Sequence, residues 1–181
     1  MAQWIIDQAH SEIAFRVKHL VISTVTGQFQ KFQGTVESNQ PDFNDAHIRF
    51  EADVDSISTH NEQRDAHLKS PDFFDAATYP KMSFVSTSFT RKGEEEYELL
   101  GDMTIRGITR RVRLDVIYNG TVKGFDGNMA AFEISGKLSR KEFGLLWNAL
   151  TETGGVAVGD EVKLDVLVEL KGAVVEEPVA A

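Results

Sequence analysis

Apolar and polar side chains alternate with a period of two along most of this chain, and this pattern limits the possible folds more than any other feature. It is clearest in residues 46–54, 111–118 and 161–170, where every second residue is apolar. Because successive side chains of a β-strand point to opposite faces, the alternation predicts strands with one buried and one solvated face. Strands of this kind are typical of antiparallel sheets.

Weaker alternation elsewhere adds further strands, for a predicted total of about eight. This number of strands predicts an all-β fold. The further strand segments are residues 12–18, 25–37, 81–90, 97–105 and 130–138. Within residues 25–37 the apolar phase changes, since Phe29 follows one register and Phe32 the other. One extra residue near Gln30-Lys31 accounts for this change, so we predict a β-bulge there.

Two segments depart from the strand pattern. Thr59 precedes Glu62 by three residues, which is the spacing of a capping box, and Pro71 ends the helix-forming stretch that follows. We therefore predict one short α-helix at about residues 61–69. Residues 140–160 are rich in Gly and Thr, and they predict a long loop with a helical turn over one end of the sheet, before the last strand.

The composition excludes several classes of function. The chain carries 19 Lys+Arg against 28 Asp+Glu, a formal net charge of −9, and an acidic protein is a poor partner for nucleic acids. It contains no cysteine, which excludes disulfides, Cys-ligated zinc, iron–sulfur clusters and a Cys nucleophile. No segment approaches the roughly 18 consecutive apolar residues of a membrane-spanning helix, so we expect no stable membrane insertion.

The length of 181 residues fits one domain. Neither an internal repeat nor a linker interrupts the pattern, so we predict a single domain over residues 1–171 and a disordered C-terminal tail over residues 172–181. The first residues lack the basic start and the long apolar stretch of a signal peptide. We therefore expect a cytoplasmic location, or a periplasmic one if the sequence is a processed form.

Eight antiparallel strands with one apolar face each have two economical arrangements, a sandwich and a closed barrel. A barrel of eight strands is either filled by its own side chains or hollow enough for one small ligand. The predicted inward faces contain many small residues, which favours a hollow barrel unless large neighbours fill the space. These residues are Gly27, Gly34, Ala46, Ala52, Gly101, Ala130 and Gly136.

Motifs for catalysis and metal binding are missing from the sequence. The five histidines form no His-x-x-x-His pair, and no Gly-x-Ser-x-Gly nucleophile elbow is present. We therefore expect no catalytic residue, no metal and no cofactor. Arg106 and Arg110 belong to the one basic cluster and flank a turn, from which they could reach a barrel rim and a phosphate group; a solvent-exposed strand face is the simpler interpretation of the cluster.

Several short motifs follow one another in a specific order along the chain. The most specific are Arg64-Asp65-x-His67-Leu68 and, close behind it, Asp72-Phe73-Phe74-Asp75. The others are Asp7-x-x-His10-Ser11, Val25-x-Gly27-x-Phe29, Tyr79-Pro80, Gly101-x-x-Thr104-x-Arg106-Gly107, Ser139-Arg140-Lys141-x-Phe143-Gly144 and Val158-Gly159-Asp160-Glu161-Val162. In this order they closely resemble the YceI-like family of lipocalin-like, polyisoprenoid-binding proteins, over roughly residues 3–170.

This resemblance implies a lipocalin-like antiparallel β-barrel with a helix at its side, a long apolar pocket and frequently a homodimer. We therefore predict that the protein binds, transports or stores a polyisoprenoid, an isoprenoid quinone or a fatty-acid-like lipid without acting as an enzyme. The predicted ligand-binding residues are inward apolar side chains and one tryptophan near the mouth. They are Phe15, Val17, Phe29, Ile48, Phe50, Leu99, Met103, Leu114, Val116, Phe132, Ile134, Trp147, Leu164 and Val166.

Two alternatives remain at this point. The first is an enzyme, an isomerase or a hydrolase, that acts on an apolar substrate held in the barrel; it requires a titratable group inside the cavity. The second is a well-packed barrel that acts only as an interaction module, which requires that no cavity exists.

Overall fold

A computed structural model describes residues 2–125, 127–150 and 157–172 of the protein. Within these ranges the strands are β1 (Ala2–Ile6), β2 (Glu12–His19), β3 (Ser23–Phe29), β4 (Phe32–Ser38), β5 (His47–Asp53), β6 (Ile57–Ser58), β7 (Lys81–Arg91), β8 (Glu96–Ile105), β9 (Ile108–Gly124), β10 (Gly127–Ser139) and β11 (Val158–Gly172). The α-helix is α1 (Glu62–Lys69), and short 3-10 helices cover Gln8–His10, Val54–Ser56 and Arg140–Phe143.

The strands form one antiparallel sheet that closes on itself. β1 and β2 are two halves of one bent strand, as are β3 and β4, and likewise β5 and β6. Each strand pairs with the next along the chain, and β11 returns to the first, with Leu170 opposite Ile6 and Leu164 opposite Phe15. The result is an up-and-down barrel of eight strands, as predicted, and the sandwich arrangement is excluded.

The predicted break within residues 25–37 is present where the apolar phase changes. β3 ends at Phe29 and β4 begins at Phe32, and both side chains are buried. Between them, the Lys31 carbonyl accepts a hydrogen bond from the Asp53 amide at 2.9 Å. The extra length lets the chain turn from its pairing with β2 to its pairing with β1 without reversing the inward face.

The predicted helix is present, but its N-cap differs from the expected one. The side chain of Asn61 accepts a hydrogen bond from the Arg64 amide at 3.0 Å, whereas the Thr59 amide and hydroxyl donate to the Asp65 carboxylate at 2.8 and 2.6 Å. The prediction of a capping box from Thr59 to Glu62 is therefore wrong, because Asn61 is the N-cap residue. Asparagine caps helices at least as well as threonine, and Asn61 is placed to reach the third amide of the helix.

The loop before the last strand is also present, and it begins with the 3-10 helix Arg140–Phe143. Residues 151–156 of that loop lie outside the described residues. So do residues 173–181, which leaves the disordered tail as a prediction, although Gly172 itself still pairs with Trp4 in the sheet. In the described part of the chain, no helix is long and apolar enough to span a membrane.

One end of the barrel is filled by aromatic side chains. Phe43, from the connection between β4 and β5, enters the lumen and is only 2% exposed. Its ring packs on Trp4, Tyr118 and Phe132 at centroid distances of 5.1, 5.6 and 5.2 Å. The hydroxyl of the buried Tyr97 donates to the carbonyl of Asp42 in the same connection at 2.5 Å. We call these residues the plugged end.

The opposite end is covered by connections rather than filled by strand side chains. The turn Leu20–Ile22, α1 and residues 143–150 lie there, and we call these segments the open end. The Trp147 ring contacts those of His67 and Phe73 at centroid distances of 4.6 and 5.4 Å. This contact joins the connection before β11 to α1, so these two segments form a continuous rim at the open end.

Candidate functional site

The barrel encloses a cavity of about 610 Å³. Its lining extends from Phe43 at the plugged end to the rim at the open end. The solvent-exposed residues in this lining are Lys18, His19, Asn61 and Gln63, and all four lie at the open end. The cavity is therefore a blind tube with one mouth, which contradicts the alternative of a barrel filled from end to end.

All fourteen residues that the sequence predicts as ligand-binding line this cavity. They come from seven strands and one connection, so the predicted inward faces are the observed ones. They are Phe15 and Val17 of β2, Phe29 of β3, Ile48 and Phe50 of β5, Leu99 and Met103 of β8, Leu114 and Val116 of β9, Phe132 and Ile134 of β10, Leu164 and Val166 of β11, and Trp147 before β11. That they bind a ligand stays a prediction.

Burial divides the lining into two parts. Leu99, Leu114 and Val116 are buried by their neighbours. Ile134 and Val166 face inward on adjacent strands, yet they are only half-buried. Since their side chains point into the barrel, the surface they leave uncovered faces the cavity. Ile48 and Phe50 of β5 are half-buried in the same way, so the hollow part of the lumen extends from β10 and β11 across to β5.

Several lining residues come from segments without strand alternation, so the strand pattern does not predict them. Phe43 plugs the lumen, Leu68 projects from α1, and Phe73 and Phe74 follow the helix. The Asp72-Phe73-Phe74-Asp75 motif was recognised only as part of a family resemblance. Two adjacent aromatic residues between carboxylates, directly after the short predicted helix, are a usable signal for an apolar contact.

The small inward residues do not create the cavity, contrary to the expectation from the sequence. Four glycines each lie beneath a large side chain that occupies the space of the missing Cβ. The pairs are Gly27 with Phe15, Gly34 with Ile6, Gly101 with Phe84 and Gly136 with Leu114. Of the alanines, Ala46 lines the cavity, whereas Ala52 and Ala130 are buried outside it. The glycines therefore make room for neighbouring side chains within the wall.

The ionisable groups of the lining are all basic and all lie at the mouth. They are Lys18, His19, Arg64, His67 and Arg140. Within residues 2–125, 127–150 and 157–172, no aspartate or glutamate lines the cavity. Arg64 donates from Nε and Nη2 to the hydroxyl and carbonyl oxygens of Thr59, at 2.7 and 2.8 Å. These bonds hold the N-terminal turn of α1 against the strand that precedes it.

Arg140 organises the connection that carries Trp147. Its guanidinium is buried, and it donates to the carbonyl oxygens of Gly159, Leu145 and Trp147 at 2.8, 2.6 and 2.9 Å. Burial lowers the pKa of this guanidinium, and the Asp160 carboxylate at 3.6 Å acts in the opposite direction. Because its hydrogen-bonding groups are engaged with backbone, Arg140 positions the rim and is poorly suited to hold a ligand.

Arg106 reaches the rim, as considered from the sequence, but it is used there to join two connections. Its guanidinium donates to the carbonyl oxygens of Gly144 and Pro71 at 2.8 and 3.0 Å. Arg111 and Arg113 lie on the outer face and pair with Asp102 and Glu98 across the β8–β9 ladder. The outer part of the basic cluster is thus a solvated strand face.

A separate group of ionisable side chains lies at the bend between β1 and β2, away from the cavity. Asp7 is buried, and its carboxylate lies 2.7 Å from His10 Nδ1 and 3.4 Å from Lys171 Nζ. The hydrogen bond from His10 lowers the pKa of Asp7 and raises the pKa of His10. Glu169 lies close enough to form a three-ligand set with them. Two basic groups already compensate the Asp7 charge, so this arrangement stabilises the bend.

A closed antiparallel barrel of eight strands, with an apolar cavity open at one end, defines a lipocalin-like protein. The YceI-like domain matches residues 4–170 of the chain. The protein belongs to the YceI-like family. A UPF0312 protein of Staphylococcus aureus strain USA300 is 37% identical over 171 residues, which are 93% of this chain and 97% of that protein.

Solved structures give the same result for the fold. The YceI protein of Campylobacter jejuni is 30% identical with a TM-score of 0.74, covering 86% of this chain and 89% of that one. BcnA of Burkholderia cenocepacia is 23% identical with a TM-score of 0.79, covering 91% and 98%. A polyisoprenoid-binding domain from Saccharophagus degradans is 12% identical with a TM-score of 0.69, covering 94% and 98%. The last two show similarity of fold alone.

Proposed function

We propose that this protein binds an isoprenoid or a similar amphiphilic lipid in the barrel cavity and carries or stores it without catalysing a reaction. The observation that carries the proposal is the blind tube of about 610 Å³, with an apolar wall and, among the described residues, ionisable groups only at the mouth. Such a tube suits a molecule with a long apolar tail and a polar end. The tail would lie in the lumen, and the polar end would remain near α1.

The size of the cavity sets the length of tail that it can hold. The volume lies inside the range of about 300–1,000 Å³ that is usual for ligand pockets. An apolar cavity of about 150 Å³ binds one benzene molecule, so one about four times larger holds on the order of 20 carbon atoms, or roughly four isoprene units. A longer chain would project through the mouth.

The binding energy would come from the tail. Each buried methylene contributes about 0.8 kcal/mol, so one five-carbon unit approaches about 4 kcal/mol. The loss of chain and translational freedom offsets much of this gain. We therefore expect affinity to rise with tail length until the cavity is filled, and to depend less on the polar end.

The relatives support a lipid ligand. The Saccharophagus degradans structure is described as a polyisoprenoid-binding domain, and it has the same fold as this chain. Binding to a fatty-acid-like lipid or an isoprenoid quinone would use the same apolar wall. The homodimer and the cytoplasmic location expected from the sequence stay predictions.

The enzyme alternative is not favoured by any feature of the cavity. Acid–base catalysis needs a titratable group beside the substrate, and the described side chains along the wall beyond the mouth are apolar, apart from Thr35. The basic groups at the mouth are largely engaged, with Arg140 bonded to backbone and His67 to Asp72 at 2.9 Å. We therefore do not propose a reaction.

The proposal can be tested with a series of prenyl alcohols. We expect the delipidated protein to bind geraniol, farnesol and geranylgeraniol with affinities that increase with length, measured by displacement of the fluorescent fatty acid cis-parinaric acid. We expect little further gain beyond the length that fills the cavity. Failure to bind any of these compounds, or affinities independent of tail length, would contradict the proposal.

Two neighbouring residues of β11 provide a matched pair of variants. Val166 faces the cavity, while Leu167 is exposed on the outer surface. Val166→Trp should fill the lumen and weaken binding by roughly tenfold or more, about 1.4 kcal/mol. Leu167→Trp should leave binding unchanged. Ala52 and Gly136 are less suitable sites for a bulky substitution, because neither lines the cavity.

A further inference from the structure

The open end exposes large apolar side chains in two segments beside the mouth of the cavity. In the turn between β2 and β3, Val21 is 71% exposed and Ile22 is 88% exposed. In the connection before β11, Leu146 is 63% exposed and Leu150 is 79% exposed. Apolar groups that are exposed together on a folded protein mark surfaces that contact another protein or a membrane.

Backbone hydrogen bonds place these two segments side by side. The Leu20 amide donates to the Ala157 carbonyl at 3.0 Å, and the Ala157 amide donates to the Ala149 carbonyl at 2.9 Å. The turn and the connection are therefore neighbours across Ala157, which itself lines the cavity. We call the exposed side chains of Val21, Ile22, Leu146 and Leu150 the apolar rim.

The turn holds its apolar residues in a conformation that they do not favour. Leu20 and Val21 have φ angles of 53° and 68°, in the left-handed region where glycine and asparagine are usual and a β-branched residue is rare. A strained backbone that presents two exposed apolar side chains is unfavourable for folding alone. Such strain is found preferentially at sites of function.

Basic side chains adjoin the apolar rim. Lys18 and His19 directly precede the turn, are exposed and line the mouth. Asp160, on the neighbouring strand, is paired with Lys141 at 3.3 Å and with Arg140 at 3.6 Å. An apolar tip next to basic groups complements a membrane surface, where phosphate groups lie above the acyl chains.

We propose that the open end docks on a lipid bilayer, with the apolar rim inserted between the head groups, so that the ligand passes between bilayer and cavity without crossing water. This inference rests on the proposed function. A long apolar tail resides in the bilayer and is unfavourable in water, and the mouth through which it must pass adjoins the apolar rim at Ala157. A second copy of the chain on this rim would instead close the mouth.

Vesicle flotation tests the docking directly. The full chain would be mixed with unilamellar vesicles of phosphatidylcholine and phosphatidylglycerol at a 4:1 ratio. We expect the wild-type protein to float with the vesicles, and Val21→Ser/Ile22→Ser to partition at least tenfold more weakly. The matched control is Val122→Ser/Phe125→Ser, which removes two exposed apolar side chains at the plugged end and should float like wild type.

Parallel binding of cis-parinaric acid in solution separates this inference from the proposed function. Wild-type protein that binds parinaric acid but does not float would overturn the docking and leave the proposed function intact. Protein that does neither would overturn both. Flotation of Val21→Ser/Ile22→Ser equal to that of wild type would also overturn the docking. So would a result in which this variant loses a dimer that wild type forms in sedimentation, while neither protein binds vesicles.

A spectroscopic measurement covers the case in which the rim variant does not fold. The chain has two tryptophans, Trp147 at the open end and Trp4 at the plugged end. In a Trp4→Phe variant, brominated phosphatidylcholine vesicles should quench Trp147 fluorescence. In the wild type, the Trp4 contribution should remain unquenched. Absence of quenching of Trp147 would overturn the docking.

Discussion

The plugged end and the open end of the barrel are both built from apolar side chains, yet only the open end leaves space between them. At the plugged end, Phe43 enters along the barrel axis and contacts three aromatic rings at once. At the open end, α1 has no buried residue and lies across the rim, with Leu68 among the residues that line the cavity. The same kind of sheet is thus solid or hollow according to what its connections contribute.

This difference explains how a small barrel can combine a stable core with a cavity. Close-packed aromatic residues supply dispersion contacts at one end. At the open end, the ring contacts of Trp147 are supplemented by polar bonds from Arg64, Arg106 and Arg140 to backbone atoms, which hold the connections. Stability and binding are therefore assigned to opposite ends of one lumen, and substitutions at the two ends should have different effects.

Phe43→Ala should have the largest effect on stability. Removal of a fully buried phenylalanine typically lowers the free energy of unfolding by about 3–5 kcal/mol. Because Phe43 also bounds the cavity, the variant should accept a longer prenyl tail than wild type. Chemical denaturation and the prenyl alcohol series measure the two effects. Phe43→Leu is the control, with a smaller loss of unfolding free energy and little increase in the tail length that is accepted. A Phe43→Ala protein with wild-type stability and wild-type tail length would show that Phe43 does not close this end.

Arg140→Met should have the next largest effect, and it tests the open end. The substitution keeps much of the side-chain volume but leaves the Leu145 and Trp147 carbonyl oxygens without their donor. We expect the free energy of unfolding to fall by about 2–4 kcal/mol, with a change in Trp147 fluorescence. Lys141→Met, on the same 3-10 helix but exposed, should change neither. Equal effects of the two variants would contradict the assigned role of Arg140.

Much of the fold was predictable because strand alternation is a local signal. The inward sets of β8, β9, β10 and β11 follow from the period of two, and the bulge near Gln30-Lys31 follows from one change of phase. The choice of a closed barrel over a sandwich did not follow from it, since both bury one face of each strand. Only the family resemblance favoured closure, and the pairing of β1 with β11 establishes it.

The cavity was predicted correctly for a reason that proved wrong. Small residues indicate space only if no neighbour fills it, and neighbours across or along the ladder fill all four glycine positions. The aromatic side chains that the connections contribute at the open end, Phe73, Phe74 and Trp147, line the cavity without filling it. Phe43 itself lies in a connection without periodicity and with a φ of 62°, so no local pattern identified it.

The smallest expected effect on stability concerns the bend between β1 and β2. This bend lies away from both the plugged end and the open end. The hydrogen bond with Asp7 raises the pKa of His10 above its ordinary value of 6.5. Protonated His10 therefore stabilises the fold below about that pH, and this contribution is lost as the pH rises through the raised pKa. The pKa of Asp7 is lowered from 3.8 by the same bond, so its contribution is present above that value and is lost in acid.

The Asp7–His10 ion pair therefore contributes most to stability between the ordinary pKa values of 3.8 for Asp7 and 6.5 for His10, in mildly acidic solution. We expect the difference in melting temperature between wild type and His10→Gln to be largest near the middle of that window and to shrink as the pH rises above neutrality. Glutamine keeps a hydrogen-bonding group but cannot become charged, so the pH dependence isolates the ionic part. His47→Gln on β5, exposed and without an ionic partner among the described residues, is the control. A difference that grew with increasing pH would show that His10 stabilises the bend as a neutral group.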